Sequence, residues 1–296
     1  MARINKCIEL LEQGQPVYAS QPPELSYDAG RDLVSTWADL LIVDFEHEPF
    51  DVQGLNQLIR GLRDGGPTPS GHMTPTVIAT LPSNCTSAAE VLNNAWQARH
   101  VLTAGAHGIL HTHARDPEAV QAFVATARYP FQRLGRDILP EGLRGAGGQA
   151  KPAEIWSLDP LEYVKRADPW PLNPQGELLL GLKIEDRHCL SRAHASALVP
   201  GISFAEWGPG DMGMSFGDPD AHDPPYSEIM NNARNTVKAS CDNAGIAFYS
   251  SWNDPSMTDT EIVEYAINQL GAKIINAPNG SFADHGRKIT GRTMPF

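Results

Sequence analysis

The chain has 296 residues, of which 41% are hydrophobic, and this supports one large core, as in a (β/α)8 barrel, or two smaller domains. Its formal net charge of -12 makes it a poor partner for nucleic acid or an anionic membrane surface, and no apolar run approaches the roughly 20 residues that span a bilayer. Four cysteines without C-x-x-C spacing (Cys7, Cys85, Cys189 and Cys241) argue against a disulfide framework and a structural zinc, so a reducing cytoplasm is the expected compartment.

Apolar runs alternate with helical patterns along the chain. The first ten residues predict an amphipathic helix and lack the long apolar stretch of a signal peptide. The predicted strands are Val17–Ser20, Leu40–Asp44, Thr76–Thr80, Gly108–His111, Leu178–Glu185, Ile202–Trp207, Ile246–Ser250 and Lys273–Asn276. The predicted helices between them include Ala88–Leu102, Pro117–Arg128, Ser227–Ala244 and Asp259–Leu270. Eight strands alternating with helices predict an α/β fold with a parallel sheet closed into a (β/α)8 barrel, although an open, doubly wound sheet fits the pattern too.

Two stretches depart from this alternation. Residues 129–177 contain Pro-rich and Gly-rich pieces between the fourth and fifth strands, and a connection this long is usually a functional loop or a lid. The tail Ala277–Phe296 is basic, and it docks either on the barrel or on a neighbouring subunit. We expect a single barrel domain over residues 1–296 with a long insert at about 129–177.

Two carboxylates follow neighbouring strands at the end where barrel active sites lie. Glu185 ends the fifth run, and Asp211 follows the sixth in Gly208-Pro-Gly-Asp211. Hard oxygen ligands at adjacent strand ends predict a divalent cation site that keeps positions open for substrate. The alternatives are a surface ion pair for Glu185 and a turn or cap residue for Asp211. Lys183 lies two residues before Glu185 and should share its face.

Two further groups of ionisable residues end strands. Asp44-Phe-Glu-His47 follows the second run, and a carboxylate beside a histidine predicts a general acid/base, although a lone surface histidine is the simpler reading. His111 and His113 end the fourth strand, where their spacing permits zinc ligation, but packing and hydrogen bonding are commoner roles. Trp207 is a candidate substrate-binding residue that would wall the pocket, with ordinary core packing as the alternative.

A series of motifs then appears in a fixed order. These are Ala38-Asp-Leu-Leu-Ile-Val-Asp-Phe-Glu-His-Glu-Pro-Phe50, Ala104-Gly-Ala-His-Gly-Ile-Leu110, Ala127-Arg-Tyr-Pro130, Leu143-Arg-Gly-Ala-Gly147, Leu182-Lys-Ile-Glu-Asp-Arg187 and Trp207-Gly-Pro-Gly-Asp-Met-Gly-Met-Ser-Phe-Gly217. The combination resembles the HpcH/HpaI aldolases, class II pyruvate aldolases of the pyruvate/phosphoenolpyruvate barrel superfamily, over roughly residues 5–280. Macrophomate synthase, a relative with different chemistry, shows that the family does not fix the reaction.

The resemblance implies roles for the residues at matching positions. Glu185 and Asp211 would bind Mg2+, Mn2+ or Co2+, and His47 oriented by Asp44 would be the acid/base. Backbone N–H groups of Gly210 and Asp211, in the segment Gly208-Pro209-Gly210-Asp211, would hold the carboxylate of a 2-oxo acid. Retro-aldol cleavage of a 4-hydroxy-2-oxo acid would give pyruvate and an aldehyde. The resemblance further implies a last helix swapped between subunits and a homohexamer built as a trimer of dimers.

The chain departs from the family pattern at three positions. Ala79 or Thr80 stands where the family usually carries a strand-3 Arg, and Lys183 stands where it usually carries Gln. A cation lost from one strand and gained on another suggests that Lys183 stabilises the enolate, although Arg and Lys differ in geometry. His113 replaces an apolar residue and joins the candidate catalytic residues.

Three alternatives to a metal-dependent aldolase remain open at this stage. The same barrel and metal site can serve decarboxylation or a lyase reaction on an aromatic substrate. Lys183 can act as a Schiff-base nucleophile without metal. A barrel can also serve as a binding or scaffold protein, which the set of candidate catalytic residues disfavours.

Overall fold

The computed structural model describes residues 3–296. Met1 and Ala2, at the start of the predicted first helix and of the predicted domain range, lie outside the described residues. The strands are β1 (Val17–Ser20), β2 (Leu40–Val43), β3 (Thr76–Asn84), β4 (Gly108–Thr112), β5 (Pro169–Trp170), β6 (Leu178–Lys183), β7 (Phe204–Trp207), β8 (Ala247–Ser250) and β9 (Ile274–Asn276). The helices are α1 (Lys6–Glu12), α2 (Tyr27–Leu33), α3 (Val52–Gly65), α4 (Ala88–Asn93), α5 (Ala95–Thr103), α6 (Pro117–Ala127), α7 (Ala150–Ile155), α8 (Pro160–Arg166), α9 (Arg187–Ala197), α10 (Pro209–Phe216), α11 (Glu228–Ala244), α12 (Asp259–Asn268) and α13 (Gly280–Ile289). In the described range, none of these helices has the length and apolar character to cross a membrane.

The parallel strands close into a barrel. Strands β1 to β4 and β6 to β9 follow one another around it, and pairing of β4 with β6 joins the two ends of the sheet. The short strand β5 pairs with the first two residues of β6. Closure confirms the predicted (β/α)8 fold and rules out the open sheet, while the single-domain boundaries stay a prediction.

The strands are apolar on both faces because both faces are buried. One cluster fills the barrel, and α1 contributes Cys7, Ile8 and Leu10 to it, closing the end where the strands begin. The larger cluster lies between the strands and the outer helices. Parallel strands covered on both faces read as continuous apolar runs, which is why the sequence pattern located them.

Gly181 on β6 makes room for the aromatic side chain that lies below the cavity at the barrel mouth. Its register partner on β7 is Phe204, and a Cβ at Gly181 would lie 2.1 Å from the Phe204 ring. The ring therefore occupies the layer that a Gly181 side chain would otherwise fill. Side chains two residues further along these strands form the next layer towards the mouth.

The predicted helix Ala88–Leu102 is wrong in one respect, because the chain forms two helices there. The break falls at Asn94, whose φ of -107° and ψ of 8° leave the helical region. The Asn94 side chain donates to the carbonyl of Glu90 at 3.0 Å. Asparagine competes for backbone hydrogen bonds in this way and favours helix ends over helix interiors.

The insert at residues 129–177 packs at the end of the barrel where the strands begin. Trp156 is buried, donates to the carbonyl of Gly105 just before β4 at 3.0 Å, and stacks on His107 with ring centroids 5.3 Å apart. Arg128 at the head of the insert is paired with the buried Asp168 at 2.7 Å. Within the described residues, none of those lining the cavity at the opposite end comes from the insert, so the structure gives no support to a lid.

The basic tail docks on the barrel of its own chain. The buried carboxylate of Asp39 receives two hydrogen bonds from Arg292, both at 2.7 Å, and lies 2.9 Å from Lys6 Nζ and 3.6 Å from Arg287. Burial alone would raise the pKa of Asp39, but Arg292 and Lys6 outweigh it and the pKa is lowered. Helix α13 packs against α12 of the same chain, and the exchange of the last helix between subunits stays a prediction.

We expect Asp39→Asn to destabilise the fold strongly. The substitution leaves buried cations without their shared anion, which typically costs about 3–5 kcal/mol. Urea denaturation measures the loss in the free energy of unfolding. The matched control is Asp284→Asn, whose exposed carboxylate also binds Arg287 at 2.8 Å, and which should cost less than about 1 kcal/mol. Equal losses in both variants would contradict a buried network centred on Asp39.

Candidate active site

A cavity of about 270 Å³ opens at the end of the barrel where the strands finish. Each barrel strand contributes one lining residue, and these are Ser20, Ile42, Thr80, Leu110, Lys183, Glu206, Tyr249 and Asn276. Asp44, Glu46 and His47, which follow β2, line it as well. The cavity therefore lies where the sequence pattern placed the active site of a barrel.

Glu185 lies beside this cavity, two residues beyond β6, and is fully buried. Its Oε1 accepts a hydrogen bond from the backbone N–H of His113 at 3.2 Å. Its carboxylate packs on Gly208, where a Cβ would lie 2.7 Å from Oε2. Glycine at position 208 is therefore needed for the carboxylate to approach the start of α10.

Glu185 and Asp211 belong to a cluster of four side chains with metal-ligand chemistry. Ligand atoms of Glu46, His113, Glu185 and Asp211 all lie within 4.8 Å of one another. Glu185 Oε2 is buried and lies 2.9 Å from the Lys183 ammonium. Three carboxylates and an imidazole with their ligand atoms this close together fit a hard divalent cation. The predicted neighbouring carboxylates thus do meet, and Glu46 is a member that the predicted ligand pair left out.

Lys183 lies at the edge of the same cluster. Its Nζ donates to Glu46 Oε2 at 2.5 Å and lies 2.9 Å from Glu185 Oε2. Burial alone would lower the pKa of Lys183, but the carboxylates of Glu185, Glu206 and Glu46 outweigh it and the pKa is raised. The side chain is therefore a fixed ammonium, which is the opposite of what a Schiff-base nucleophile requires.

The Asp44–His47 pair forms as the sequence predicted. Asp44 Oδ2 lies 2.8 Å from His47 Nδ1, and the ring is largely exposed at the cavity rim. Thr80 on β3 donates to Asp44 Oδ1 at 3.0 Å and accepts from the N–H of Phe45 at 2.8 Å. The hydrogen bond that His47 donates to Asp44 raises the pKa of His47 despite partial burial.

The Thr80 contacts clarify one departure from the family pattern. Thr80 lines the cavity, whereas Ala79 packs towards the outer helices. Position 80 is therefore the one that faces the site. Its hydroxyl fixes the loop that carries Asp44 and His47, and it brings no positive charge to the cavity.

The first turn of α10 presents backbone donors beside the metal-ligand cluster. Gly208 is the N-cap, and Pro209, Gly210 and Asp211 form the first turn. The first N–H groups of a helix have no partner within it and attract anions. The N–H groups of Gly210 and Asp211 belong to this first turn, and the carboxylate-binding role that the resemblance implies for them stays a prediction.

The two histidines that end β4 do not share a ligand, so the zinc reading of this pair is wrong. His111 is buried against Phe123 of α6 with ring centroids 4.8 Å apart, and burial lowers its pKa to about 3. His113 adopts a φ of 47° and turns towards Asp186, whose Oδ2 lies 3.0 Å from Nδ1. That contact raises the pKa of His113. The left-handed residue ends the strand alternation on which the prediction relied.

Trp207 is a correction to the predicted substrate contacts. Its side chain is buried in the outer core, where it meets Tyr226 with ring centroids 5.1 Å apart. Because alternate residues of β7 face opposite sides, Glu206 points into the barrel instead. Burial raises the pKa of Glu206 to about 7. Glu206 was not predicted to belong to the site. Its signal in the sequence is that it is an acidic residue inside the apolar run Phe204–Trp207.

The chain was compared with protein-family models, curated proteins and solved structures. No protein-family model matches the chain. A hydroxypyruvate/pyruvate aldolase from Sagittula stellata is 26% identical over 195 residues, covering 66% of this chain and 63% of that protein. A pyruvate aldolase from Rhizobium etli is 25% identical over 193 residues, covering 65% of this chain and 61% of that protein. The chain thus matches less than two thirds of the length of these two curated relatives.

Solved structures match over nearly the whole chain. A HpcH/HpaI aldolase/citrate lyase family protein from Burkholderia cenocepacia has a TM-score of 0.71 and 18% identity, covering 97% of this chain and 98% of its own. Macrophomate synthase has a TM-score of 0.62 and 18% identity, covering 98% and 88%. The fold and the mouth of the barrel therefore define a (β/α)8-barrel protein with a carboxylate-rich candidate site. With the sequence relatives, they support at low identity the family that the motifs predicted, the HpcH/HpaI aldolases.

Proposed function

We propose that the protein is a divalent-metal-dependent lyase that cleaves a 4-hydroxy-2-oxo acid to pyruvate and an aldehyde. The observation that carries this is the convergence of Glu185, Asp211, Glu46 and His113 beside a cavity rimmed by the Asp44–His47 pair. The relatives named pyruvate aldolase support it. The assembly as a hexamer stays a prediction.

Glu185 and Asp211 would hold the cation, because their oxygens are hard ligands and lie within 4.8 Å of one another in the cluster. When bound, the cation supplies Lewis acidity towards the carboxylate and carbonyl oxygens of the 2-oxo acid. Calorimetric titration with Mg2+, Mn2+ and Co2+ would show which of these ions binds most tightly.

The chain's own residues supply the proton transfers and the orientation of the substrate. The N–H groups of Gly210 and Asp211 hold the substrate carboxylate. His47 in its neutral form removes the proton from the C4 hydroxyl, the C3–C4 bond breaks, and the aldehyde leaves. The bonding electrons form the enolate of pyruvate, whose developing charge lies near the Lys183 ammonium. The proton that His47 took from the hydroxyl group then passes to C3, which yields pyruvate and restores the neutral imidazole.

The rival chemistry with a specific observation behind it is a decarboxylation or another lyase reaction in the same site. Its support is the replacement of the expected strand-3 cation by Thr80, together with the presence of Lys183 beside the cluster and of His113 within it. Those changes alter where positive charge lies around the substrate, and they leave the candidate metal ligands in place.

Pyruvate release from a panel of aliphatic and aromatic 4-hydroxy-2-oxo acids tests the proposal. We expect no release with EDTA and restored release with Mg2+, Mn2+ or Co2+. The same assay followed for carbon dioxide detects the rival reaction. Metal binding without pyruvate release from any substrate would sink the aldolase proposal and leave the rival.

The raised pKa of His47 predicts a pH dependence. If the neutral imidazole is the base, kcat/KM falls as the pH drops through a pKa above the ordinary 6.5 of histidine. Asp44→Asn removes the carboxylate that raises this pKa, so the acidic limb of the profile should move to lower pH. The measurement is a pH profile of kcat/KM for both proteins.

The control uses a similar pair on the outer helices, where His285 Nε2 lies 2.8 Å from Glu264 Oε1. Glu264→Gln removes a carboxylate from a histidine in the same way and should leave the profile unchanged. An unshifted acidic limb in Asp44→Asn would mean that another group sets it.

A further inference from the structure

His113 is tied to the metal-ligand cluster by its own backbone. It follows β4 with a φ of 47°, in the left-handed region, where histidine is enriched over most other side chains. Its N–H donates to Glu185 Oε1 at 3.2 Å, and its ring Nδ1 lies 3.8 Å from the same oxygen. The left-handed turn therefore places the imidazole beside the most enclosed carboxylate of the cluster.

Asp186 fixes the orientation of this ring. Its Oδ2 lies 3.0 Å from His113 Nδ1 and also accepts from Arg115 Nε at 2.9 Å. Its Oδ1 accepts from the backbone N–H groups of His188 and Cys189 at the start of α9, at 2.8 and 2.9 Å. The residue is only 4% exposed, so the carboxylate is held on both oxygens. The hydrogen bond at one ring nitrogen sets which nitrogen carries the proton. A neutral imidazole that donates from Nδ1 keeps its lone pair on Nε2.

Nε2 is the ring nitrogen that faces Glu46. It lies 4.0 Å from Glu46 Oε1, which is too far for a hydrogen bond. Two ligand atoms on one cation, each with a bond of about 2.1 Å, can be at most roughly 4.2 Å apart. The spacing therefore accommodates a shared ion. A histidine that binds a metal through one nitrogen usually donates from the other to a carboxylate or a carbonyl group, as His113 does to Asp186.

We propose that His113 is a nitrogen ligand of the cation through Nε2, beside the oxygen ligands Glu185 and Asp211, and that Asp186 is its positioning residue. This inference rests on the cation of the proposed function. It adds a ligand that the two-carboxylate site implied by the resemblance lacks, at a position where the chain departs from the family pattern.

The chemistry of the added ligand predicts which ions the site prefers. Imidazole nitrogen suits Co2+, Zn2+ and other transition metals, whereas Mg2+ takes oxygen ligands. His113 should therefore raise the preference for a transition metal over Mg2+ beyond what the carboxylates alone give. Three protein ligands still leave positions on an octahedral ion for the two oxygens of a 2-oxo acid and a water molecule.

The test reads the nitrogen directly and uses no substrate. Pulsed EPR of the Mn2+-loaded protein detects a coupled nitrogen nucleus when an imidazole is bound to the ion, and calorimetry gives the Kd of Co2+ and of Mg2+. We expect the nitrogen coupling in the unaltered protein. His113→Gly suits the left-handed backbone and should lose the coupling. It should bind Co2+ at least about 10-fold more weakly and change the Kd of Mg2+ by at most a few-fold.

Two further variants separate the ligand from its positioning residue. Added imidazole should restore the nitrogen coupling and the Co2+ affinity of His113→Gly, because it can occupy the space that the side chain leaves. Asp186→Asn keeps a good cap for α9 but weakens the hold on Nδ1, so Co2+ affinity should fall by about 10–100-fold. Circular dichroism and the Tm of each variant confirm folding.

The matched control is His222→Gly. His222 lines the same cavity and lies 3.2 Å from a carboxylate, that of Asp223, but it is outside the metal-ligand cluster. Its removal should leave the nitrogen coupling and both Kd values unchanged.

The outcomes distinguish this inference from the proposed function. Mn2+ bound without nitrogen coupling, or equal losses of Co2+ and Mg2+ affinity in His113→Gly, overturns the nitrogen ligand even if pyruvate is released. Nitrogen coupling without pyruvate release from any substrate refutes the proposed function and leaves the ligand standing. No binding of any of these ions overturns both.

Discussion

Glu185→Gln should abolish metal-dependent activity and leave the fold intact. Glu185 is the most enclosed member of the candidate metal cluster, and its buried Oε2 is paired with the Lys183 ammonium at 2.9 Å. An amide of the same size removes one negative charge and one oxygen donor. We expect kcat/KM to fall by more than about 10³-fold, since such electrostatic stabilisation is usually the largest catalytic term. Turnover and Mn2+ calorimetry measure the two losses separately.

The matched control for this substitution is Glu48→Gln. Glu48 is an exposed glutamate that follows the same strand as His47 and lies outside the metal-ligand cluster. It undergoes the same chemical change and should keep its activity and Mn2+ affinity. Normal turnover by Glu185→Gln would show that the metal site has been assigned to the wrong residues. Asp211→Asn should give the same loss, because Asp211 offers the second carboxylate of the pair.

The barrel was predictable because its strands are apolar on both faces. Each apolar run that the sequence shows is a strand buried between the inner cluster and the outer helices. The candidate site was predictable for a related reason. Polar residues such as Asp44 and Glu185 come directly after these runs, and parallel strands of a barrel all finish at one end.

The direction in which each side chain points was harder to predict from the sequence. Because side chains alternate along a strand, Glu206 and Trp207 face opposite sides of β7. This alternation does not indicate which side is the interior of the barrel. That choice depends on the register with β6 and β8, where Glu206 pairs with Lys183 and Tyr249. Long-range pairing of this kind is invisible in the local pattern, and Trp207 was therefore placed in the pocket wrongly.

The insert shows the same limit over a longer distance. Its length and its Pro-rich and Gly-rich pieces suggested a functional loop or a lid, whereas its Trp156 contacts Gly105 and His107 before β4. These partners lie about fifty residues away in sequence. Composition identifies such a segment as irregular, but only its tertiary contacts decide at which end of the barrel it packs.

Lys183→Met should separate catalysis from metal binding. The ammonium lies among three carboxylates, with Glu46 and Glu185 in contact and Glu206 beside it in register. Its removal takes away the positive charge proposed to stabilise the enolate, so kcat should fall by about 10²–10³-fold. The same removal leaves more negative charge around the candidate ligands and frees Glu185 Oε2. Mn2+ should therefore bind at least as tightly as before.

The opposite responses of turnover and metal affinity distinguish this role from a structural one. A lysine needed only to hold the carboxylates together would give a weaker metal site and a lower Tm when it is replaced. Lys183→Gln is the matched variant, because glutamine keeps a hydrogen-bond donor near Glu46 without the charge, and its turnover should also stay low. Full activity of Lys183→Met on the true substrate would show that the ammonium does not compensate for the cation that Thr80 replaces.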